Sequence, residues 1–186
     1  MPLVVLISAL WFLSELALAV LKRSRSGSTG KKDRSSFWWL WVTILISISV
    51  GVYCGILGIG HIGHIGFWLG YAGIVLILLG LVIRWLAILT LRRFFTVDVA
   101  IARGQEIISK GLYGHIRHPA YAGTLLSFLG LGLAFSNWLS IIIIFVPILA
   151  AFLYRIKIEE AAMREAFGEP YSDYCRHTRG LIPGIY

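Results

Sequence analysis

The sequence predicts an all-α, polytopic membrane protein with about five transmembrane helices. Hydrophobic residues make up 58% of the 186 residues, whereas soluble domains are typically about 45–50% apolar. Several apolar runs approach the roughly 20 residues that a helix needs to cross the hydrocarbon core of a bilayer. Lysine and arginine are concentrated in some connecting loops and are absent from others. These features exclude a soluble globular domain.

The apolar segments end where charges or turn residues begin. Glu15 interrupts the first segment, and a basic loop rich in serine and glycine, KRSRSGSTGKKDRSS, follows it. The connector GIGHIGHIG follows the second segment, and Arg92 and Arg93 end the third. Only Ser136 and Asn137 separate the last two segments, which predicts a tight antiparallel helical hairpin. The predicted spans are residues 2–21, 37–57, 67–91, 120–135 and 138–154.

The basic loops all fall on one side of this five-span arrangement. Segments 22–36, 92–118 and 155–186 carry six, five and five lysines or arginines, and connectors 58–66 and 136–137 carry none. The positive-inside rule therefore predicts an outside N-terminus and a cytoplasmic C-terminus. The net charge of +8 comes from these basic loops on the predicted cytoplasmic side, so it does not indicate nucleic-acid binding. We expect a multi-pass protein of the plasma membrane in a prokaryote, or of the endoplasmic reticulum in a eukaryote.

Two glycine- and histidine-rich patterns are weak candidates for a cofactor or a metal. GIGHIG at 58–63 matches GxGxxG, but it lies between two spans rather than in a βαβ unit, so a turn is the better interpretation. His61 and His64, like His115 and His118, could share a helix face. Zinc needs further ligands, and the surrounding sequence offers no cluster of them. No metal is predicted.

Arg84 is the ionisable residue inside the third span. Intramembrane charges are costly and usually face the bundle or a wet cavity, so Arg84 is a functional candidate. The alternatives are a structural ion pair with Glu15 or a position nearer the interface.

The most informative stretch is YGHIRHPAYAG, residues 113–123. Pro119 suits the first turn of a helix and predicts the start of the fourth span. It also restricts His118 to an extended conformation. The N–H groups of the helix start can then bind an anionic group. Interfacial anchoring would explain the tyrosines and the arginine here, but not two histidines beside a proline.

The second informative stretch is RIKIEE, where the tail begins as a charged helix. Arg155 and Glu159 are four residues apart and share a helical face, which would suit a ligand carrying both signs of charge. The alternative is a solvated, ion-paired helix start. Because the hairpin brings both of its cytoplasmic ends together, His118 and Arg155 are expected to be neighbours. Gly168-Glu169-Pro170 is expected to break or kink the tail helix.

These motifs resemble the isoprenylcysteine carboxyl methyltransferase family of integral-membrane methyltransferases. The matched stretches are GLYGHIRHPAYAG at 111–123 and RIKIEEAAMREAFGEPYSDYCRHTRGLIPGI at 155–185. The family pattern is G-x-Y-x-x-x-R-H-P-x-Y-x-G, a short hairpin, R-x-x-x-E-E, F-G-x-x-Y and a late proline. The resemblance covers roughly residues 98–186. It divides the chain into N-terminal transmembrane helices, 1–93, and a methyltransferase core, 94–186.

The resemblance implies binding of S-adenosyl-L-methionine, with S-adenosyl-L-homocysteine as product. It makes Arg155 and Glu159 catalytic and turns Arg155 towards the substrate. The implied cofactor-binding residues are Gln105, Glu106, Ile107, Ile108, Tyr113, His118, Pro119, Ala120, Tyr121 and Glu159. His115 and Arg117, beside the helix start, and Glu160, next to Glu159, are also predicted to bind the cofactor.

The predicted function is carboxyl O-methylation of an isoprenylated cysteine at the cytoplasmic side of the bilayer. A C-terminal carboxylate has a pKa of about 3.3–3.7, so it is already ionised and needs no base. One alternative is N-methylation of a phosphatidylethanolamine-type lipid, whose amine must first lose a proton. The other is a non-enzymatic membrane scaffold, which would not need the Arg155 and Glu159 pair.

Overall fold

The computed structural model describes residues 2–21, 31–63, 66–97, 101 and 104–181. Within these ranges the chain is helical and forms no β-strand. Two 3₁₀ turns, Arg92–Phe94 and Gly111–Gly114, lie in the segment between the third and fourth helices. The α-helices are α1 (Pro2–Leu21), α2 (Lys31–Leu57), α3 (Gly66–Leu91), α4 (Pro119–Ala134), α5 (Trp138–Phe167) and α6 (Glu169–His177).

The helices confirm the predicted segments and extend two of them. α2 begins at Lys31, six residues before the predicted span. α5 continues without a break from the apolar span into the charged tail and ends at Phe167. Gly168, with φ +58° and ψ −128°, then turns the chain into α6, as the Gly-Glu-Pro sequence predicted. That conformation favours glycine because a Cβ would clash there.

Three helices in the described part of the chain are long and apolar enough to cross a membrane. They are Ser35–Leu57, Gly66–Phe94 and Trp138–Phe167. Leu6–Leu18 and Pro119–Ala134 are shorter apolar helices, and 16 residues of α4 extend about 24 Å. The chain is therefore an integral membrane protein. The count of five spans and their orientation stay predictions.

Glycines allow α3 and α4 to pack backbone against backbone. A Cβ on Gly73 would lie 2.5 Å from the carbonyl oxygen of Gly130, and one on Gly123 would lie 2.5 Å from that of Gly80. Side chains larger than hydrogen do not fit at such distances. Small residues at helix interfaces are how membrane helices approach closely without a hydrophobic driving force. These contacts fix α4 antiparallel to α3.

The connectors at the far end of the bundle hold the helical hairpin in place. Asn137 is fully buried, and its Oδ1 accepts hydrogen bonds from the N–H groups of Leu139 (2.9 Å) and Ser140 (3.1 Å) at the start of α5. Its Nδ2 donates to the carbonyl oxygens of Ile59 (2.7 Å) and Cys54 (3.3 Å). This side chain caps α5 and fastens it to the end of α2. Residues 58–63 of the glycine-rich connector thus form a turn, as the sequence predicted.

Candidate active site

A cavity of about 480 Å³ opens among helices α1 to α5, at the end of the bundle opposite the Asn137 turn. Polar groups from α4, α5 and the 105–118 segment line one part, called here the polar chamber. Apolar side chains line the rest, called here the apolar arm. The polar chamber is lined by Gln105, Glu106, Tyr113, Arg117, His118, Ala120, Tyr121, Arg155, Glu159, Tyr171 and Tyr174, and the apolar arm by Trp11, Phe12, Leu40, Trp41, Ile44, Ile48, Phe128 and Leu131.

α4 passes along both parts of the cavity. Its lining residues run from Ala120 and Tyr121 through Thr124 to Phe128 and Leu131. A rise of 1.5 Å per residue makes this wall about 16 Å long. One continuous space therefore joins polar groups at the end of the bundle to an apolar arm between the helices.

α4 begins at Pro119, as its sequence predicted, but His118 does not take the extended conformation that was predicted for it. Pro119 is the first helical residue, and His118 precedes it with φ −122° and ψ 56°. The end of the tail runs alongside this start, because the N–H groups of Arg117 and His118 donate to the carbonyl oxygens of Arg179 (2.7 Å) and Gly180 (3.1 Å). The tail therefore fixes the segment that carries His118.

Tyr121 connects the two motifs of the sequence. Its hydroxyl donates to Glu159 Oε2 at 2.7 Å and accepts from Arg155 Nε at 3.3 Å. Its ring stacks on the imidazole of His118, with centroids 5.6 Å apart and planes inclined by 6°. The hairpin thus brings YGHIRHPAYAG and RIKIEE into direct contact, as predicted from the short turn.

Arg155 is anchored on three sides, although it lies deep in the bundle. Only 1% of the residue is exposed. Its Nη2 donates to the carbonyl oxygen of Val97 at 2.6 Å, and its Nη1 donates to Ser36 Oγ at 3.3 Å. Together with Tyr121, these partners hold the guanidinium in one orientation at the cavity wall. A buried, always charged donor of this kind is suited to orient a carboxylate.

Glu160 is held in an ionic cluster beside the chamber. Its Oε1 accepts from Arg117 Nε at 2.8 Å and lies 3.4 Å from His118 Nε2. Its Oε2 accepts from Arg164 at 3.1 Å. Arg117 also donates to the carbonyl oxygens of Cys175 and Thr178. The cluster therefore ties α5, the start of α4 and the tail together.

Two tyrosines of α6 complete the chamber. Tyr174 donates to the backbone oxygen of Tyr113 at 2.6 Å, and only 2% of Tyr171 is exposed. Burial raises the pKa of Tyr174 to about 12 and that of Tyr113 above its ordinary value. The hydroxyls of Tyr174 and Tyr113 therefore remain protonated near neutral pH, and Tyr174 can donate its proton to the backbone oxygen of Tyr113.

Comparison with known proteins identifies the family. A model of the phospholipid methyltransferase family matches residues 68–170, which is more than half of the chain. The chain belongs to this family. The match begins in α3 and ends at the start of α6, so it contains both cavity-lining motifs.

Individual relatives of this phospholipid methyltransferase family member carry a more specific name. A probable protein-S-isoprenylcysteine O-methyltransferase from Oryza sativa subsp. indica is 32% identical over 122 residues, 64% of each chain. Protein-S-isoprenylcysteine O-methyltransferase B from Arabidopsis thaliana is 31% identical over 121 residues, 64% of this chain and 61% of the relative. The chain thus spans less than two thirds of the length of these relatives. They confirm the predicted resemblance.

A solved structure has a similar fold. The eukaryotic intramembrane Ras methyltransferase ICMT (isoprenylcysteine carboxyl methyltransferase) aligns with a TM-score of 0.62 and 26% identity, covering 96% of this chain and 64% of that chain. The likeness therefore includes the N-terminal helices, which the sequence motifs do not cover.

In this family member, most predicted site residues line the cavity and three do not. His115 is exposed on the outer side of the 3₁₀ turn, with its Nδ1 3.4 Å from the carbonyl oxygen of Gly111. Pro119 is buried in the helix start, and Glu160 lies in its ionic cluster. The predicted residues on the wall are Gln105, Glu106, Ile107, Ile108, Tyr113, Arg117, His118, Ala120, Tyr121, Arg155 and Glu159.

Other lining residues were not predicted from the sequence. Val97 holds Arg155 through a backbone oxygen, to which no motif can point. Trp11 and Phe12 are members of an ordinary apolar span. Tyr171 is the exception, because it is the tyrosine of F-G-x-x-Y, and that motif could have indicated it.

Neither HxxH pair forms a metal site within the described part of the chain. His61 pairs through its backbone with Asn137 at the far end of the bundle, and His64 lies outside the described residues. His118 contacts two carboxylates, Glu159 at 3.9 Å and Glu160 at 3.4 Å. Within the described ranges, no group of three or more histidine, cysteine or acidic residues is arranged to hold a metal ion.

Proposed function

We propose that this protein is an S-adenosyl-L-methionine-dependent carboxyl O-methyltransferase that esterifies the C-terminal carboxylate of an isoprenylated cysteine. The observation that carries the proposal is the single cavity, which joins the polar chamber to the apolar arm with Arg155 and Glu159 on its wall. Such a space suits a reaction between a soluble donor and a lipid-borne acceptor. The methyltransferase core is proposed to be residues 94–186, with residues 1–93 completing the lipid side.

The polar chamber fits a zwitterionic methyl donor. Glu159 lines the chamber with 31% of its side chain exposed, so its carboxylate can receive an ammonium or a ribose hydroxyl. The ring of Tyr121 and the imidazole of His118 form a stacked aromatic wall. The positive end of α4 favours a carboxylate nearby. Residues 105–108 also line the cavity.

The acceptor needs one charged contact and a long apolar one. Arg155 supplies the charge, because its guanidinium is fixed at the wall by Val97, Ser36 and Tyr121. The apolar arm, which Phe128 and Leu131 of α4 line, supplies the second contact. A farnesyl-type chain would lie there among apolar side chains of α1, α2 and α4.

The chemistry then depends on alignment. S-adenosyl-L-methionine supplies an electrophilic methyl group on a sulfonium. A carboxylate oxygen of the acceptor would form the new O–C bond to that methyl group as the C–S bond breaks, and the sulfur of S-adenosyl-L-homocysteine would keep the electron pair of the broken bond. No proton moves, so His118 is not required as a base. Arg155 orients the carboxylate, and the enclosing helices exclude water.

Transfer from labelled S-adenosyl-L-methionine tests the proposal. Purified protein is incubated with N-acetyl-S-farnesyl-L-cysteine or with phosphatidylethanolamine, and incorporated label is treated with base. Base-labile label on the farnesylcysteine is expected, because a methyl ester hydrolyses. Absence of donor binding by calorimetry would favour a scaffold and contradict both enzyme functions.

N-methylation of a phospholipid is the second candidate. The description of the matching family favours it. His118, placed between two carboxylates, could receive the proton that an amine must lose. Arg155 opposes it, since a fixed cation repels a protonated headgroup. Base-stable label on phosphatidylethanolamine would decide for this candidate.

A further inference from the structure

The buried ion pair between Glu15 and Arg84 lies on the cavity wall and has no role in the proposed transfer. Arg84 of α3 contacts Glu15 of α1 through Nε and Nη2. The side chains are 9% and 16% exposed. Isolated charges are costly at this depth, and polar groups inside membrane proteins usually mark function. Both residues line the cavity.

The ion pair lies where the polar chamber meets the apolar arm. Arg84 Nη1 donates to Thr124 Oγ1 at 2.8 Å and lies 3.4 Å from the carbonyl oxygen of Ala120. Ala120 belongs to the chamber, and Thr124 is one turn further along α4. Phe128 is a turn further again and contacts Trp11 of α1, with ring centroids 4.8 Å apart. α1 therefore runs antiparallel to α4 along the arm.

α1 forms one side of the arm but packs sparingly against the other helices. α3 packs along α4, and α2 along α5, whereas α1 touches α4 over a short stretch. Glu15 pairs with Arg84 of α3, Leu18 packs in one cluster with Ala87 and Ile88 of α3, and Trp11 Nε1 donates to the Glu15 carboxylate at 3.2 Å. One carboxylate thus helps to hold α1 against α3 and orients a tryptophan that lines the arm.

We propose that the Glu15–Arg84 ion pair positions α1 as the side wall of the acceptor's apolar arm and so determines the affinity for long-chain acceptors. The inference rests on the proposed function. The pair acts through Trp11 and Phe12, which it holds against the arm, and not through contact with the reacting atoms. Both residues are positioning residues. The methyl donor, bound in the chamber, should not sense the change.

Two variants separate positioning from stability. Glu15→Gln leaves the buried Arg84 charge without a counter-ion, which should lower the melting temperature and loosen α1. The double variant Glu15→Leu with Arg84→Met removes both charges, and such replacements often restore stability. Glu169→Gln is the matched control, because it breaks an exposed ion pair with Arg176 whose side chains are 73% and 65% exposed.

The measured quantities are the dissociation constants of N-acetyl-S-farnesyl-L-cysteine and of its short-chain S-butyl analogue. The dissociation constant of S-adenosyl-L-methionine is measured by calorimetry. Quenching of tryptophan fluorescence reports acceptor binding, since Trp11 and Trp41 line the cavity. In the double variant we expect about a tenfold weaker farnesyl affinity, corresponding to about 1.4 kcal/mol. Butyl and donor affinities should be unchanged. Steady-state kinetics should show a raised acceptor KM with kcat retained.

Each outcome decides a different point. Native farnesyl affinity in the double variant would overturn the inference and leave the pair a purely structural element. An equal loss for the butyl and farnesyl acceptors would also overturn it. A native protein that binds farnesylcysteine without methylating it would defeat the proposed function alone, since the variants can still be compared by binding. A native protein that does not bind it would overturn both.

Discussion

Arg155 and Glu159 lie one helical turn apart on α5 but in different surroundings. Arg155 is 1% exposed and donates to the backbone oxygen of Val97 and to the hydroxyls of Ser36 and Tyr121, whereas the side chain of Glu159 is 31% exposed. The guanidinium therefore has a fixed direction, and the carboxylate can still accept a ligand. Tyr121 lies between them and hydrogen-bonds to both. Their different burial supports different proposed roles.

Arg155→Ala is expected to abolish turnover while sparing donor affinity. Removing one fixed donor from a charged group in an active site typically costs about 100-fold or more in kcat. Turnover and the donor's dissociation constant are measured on the same preparation. Lys157→Ala, an exposed position on the same helix, is the control. A selective loss of donor binding in Arg155→Ala would contradict its assignment to the acceptor.

Glu159→Gln should have the reverse effect. The amide keeps the size of the side chain but removes the charge that the donor's ammonium would contact. A hydrogen bond to a charged group is worth about 1.5–3 kcal/mol, so donor affinity should fall roughly 10- to 100-fold. Calorimetric titration with S-adenosyl-L-methionine measures it. Unchanged affinity would exclude Glu159 from the donor site.

At the scale of elements, the α3–α4 interface depends on missing side chains. A Cβ on Gly80 would lie 2.7 Å from the backbone nitrogen of Ser127. Since Arg84, one turn beyond Gly80, reaches Ala120 and Thr124, the glycine contacts also determine where that guanidinium lies. A change in the packing of α3 against α4 would therefore also move Arg84 on the cavity wall.

Gly80→Ala should separate α3 from α4 and destabilise the protein by about 1–3 kcal/mol, the usual cost of overpacking. Gly70→Ala is a matched control in the same helix, because its Cβ would meet its nearest neighbour, Ser136 Oγ, at an ordinary 3.6 Å. Unfolding of both variants is compared in the same detergent. Equal stability would show that the interface can relax to accept a methyl group.

For the whole molecule, the antiparallel helices segregate the connecting segments to two ends. The uncharged connectors meet at one end, where Ile62 N–H donates to the carbonyl oxygen of Ser136 at 2.8 Å. Arg155, the start of α4 and the tail meet at the other end. This grouping agrees with the distribution of positive charge on which the predicted orientation depends.

Labelling with a membrane-impermeant maleimide tests the orientation. His177→Cys on α6 and Gly63→Cys in the connector are each introduced after Cys54 and Cys175 are replaced by alanine. Both positions are exposed. His177→Cys should react only from the cytoplasmic side and Gly63→Cys only from the opposite side. Reaction of both from one side would show that the number of spans between them is even.

The sequence by itself determined the helices, the hairpin and the residues of the two motifs. Apolar run lengths are a local property, and Pro119, Gly168 and the Ser136-Asn137 turn act on the backbone where they stand. These features predicted that YGHIRHPAYAG would begin a helix and meet RIKIEE. The short turn makes the two helices antiparallel neighbours, which is why His118 and Arg155 were expected to lie close together.

Only the tertiary structure decided which member of each motif faces the cavity and what surrounds it. Glu159 and Glu160 are adjacent in sequence, but helix rotation sends one to the chamber and the other to Arg117. Val97 accepts a hydrogen bond from Arg155 through its backbone oxygen, and a backbone contact of this kind cannot be predicted from the residue type. The Glu15–Arg84 pair could be suspected from its cost in a membrane, but its place between chamber and arm depends on how α1 lies along α4. Such long-range packing is a property of the assembled bundle and not of any local pattern.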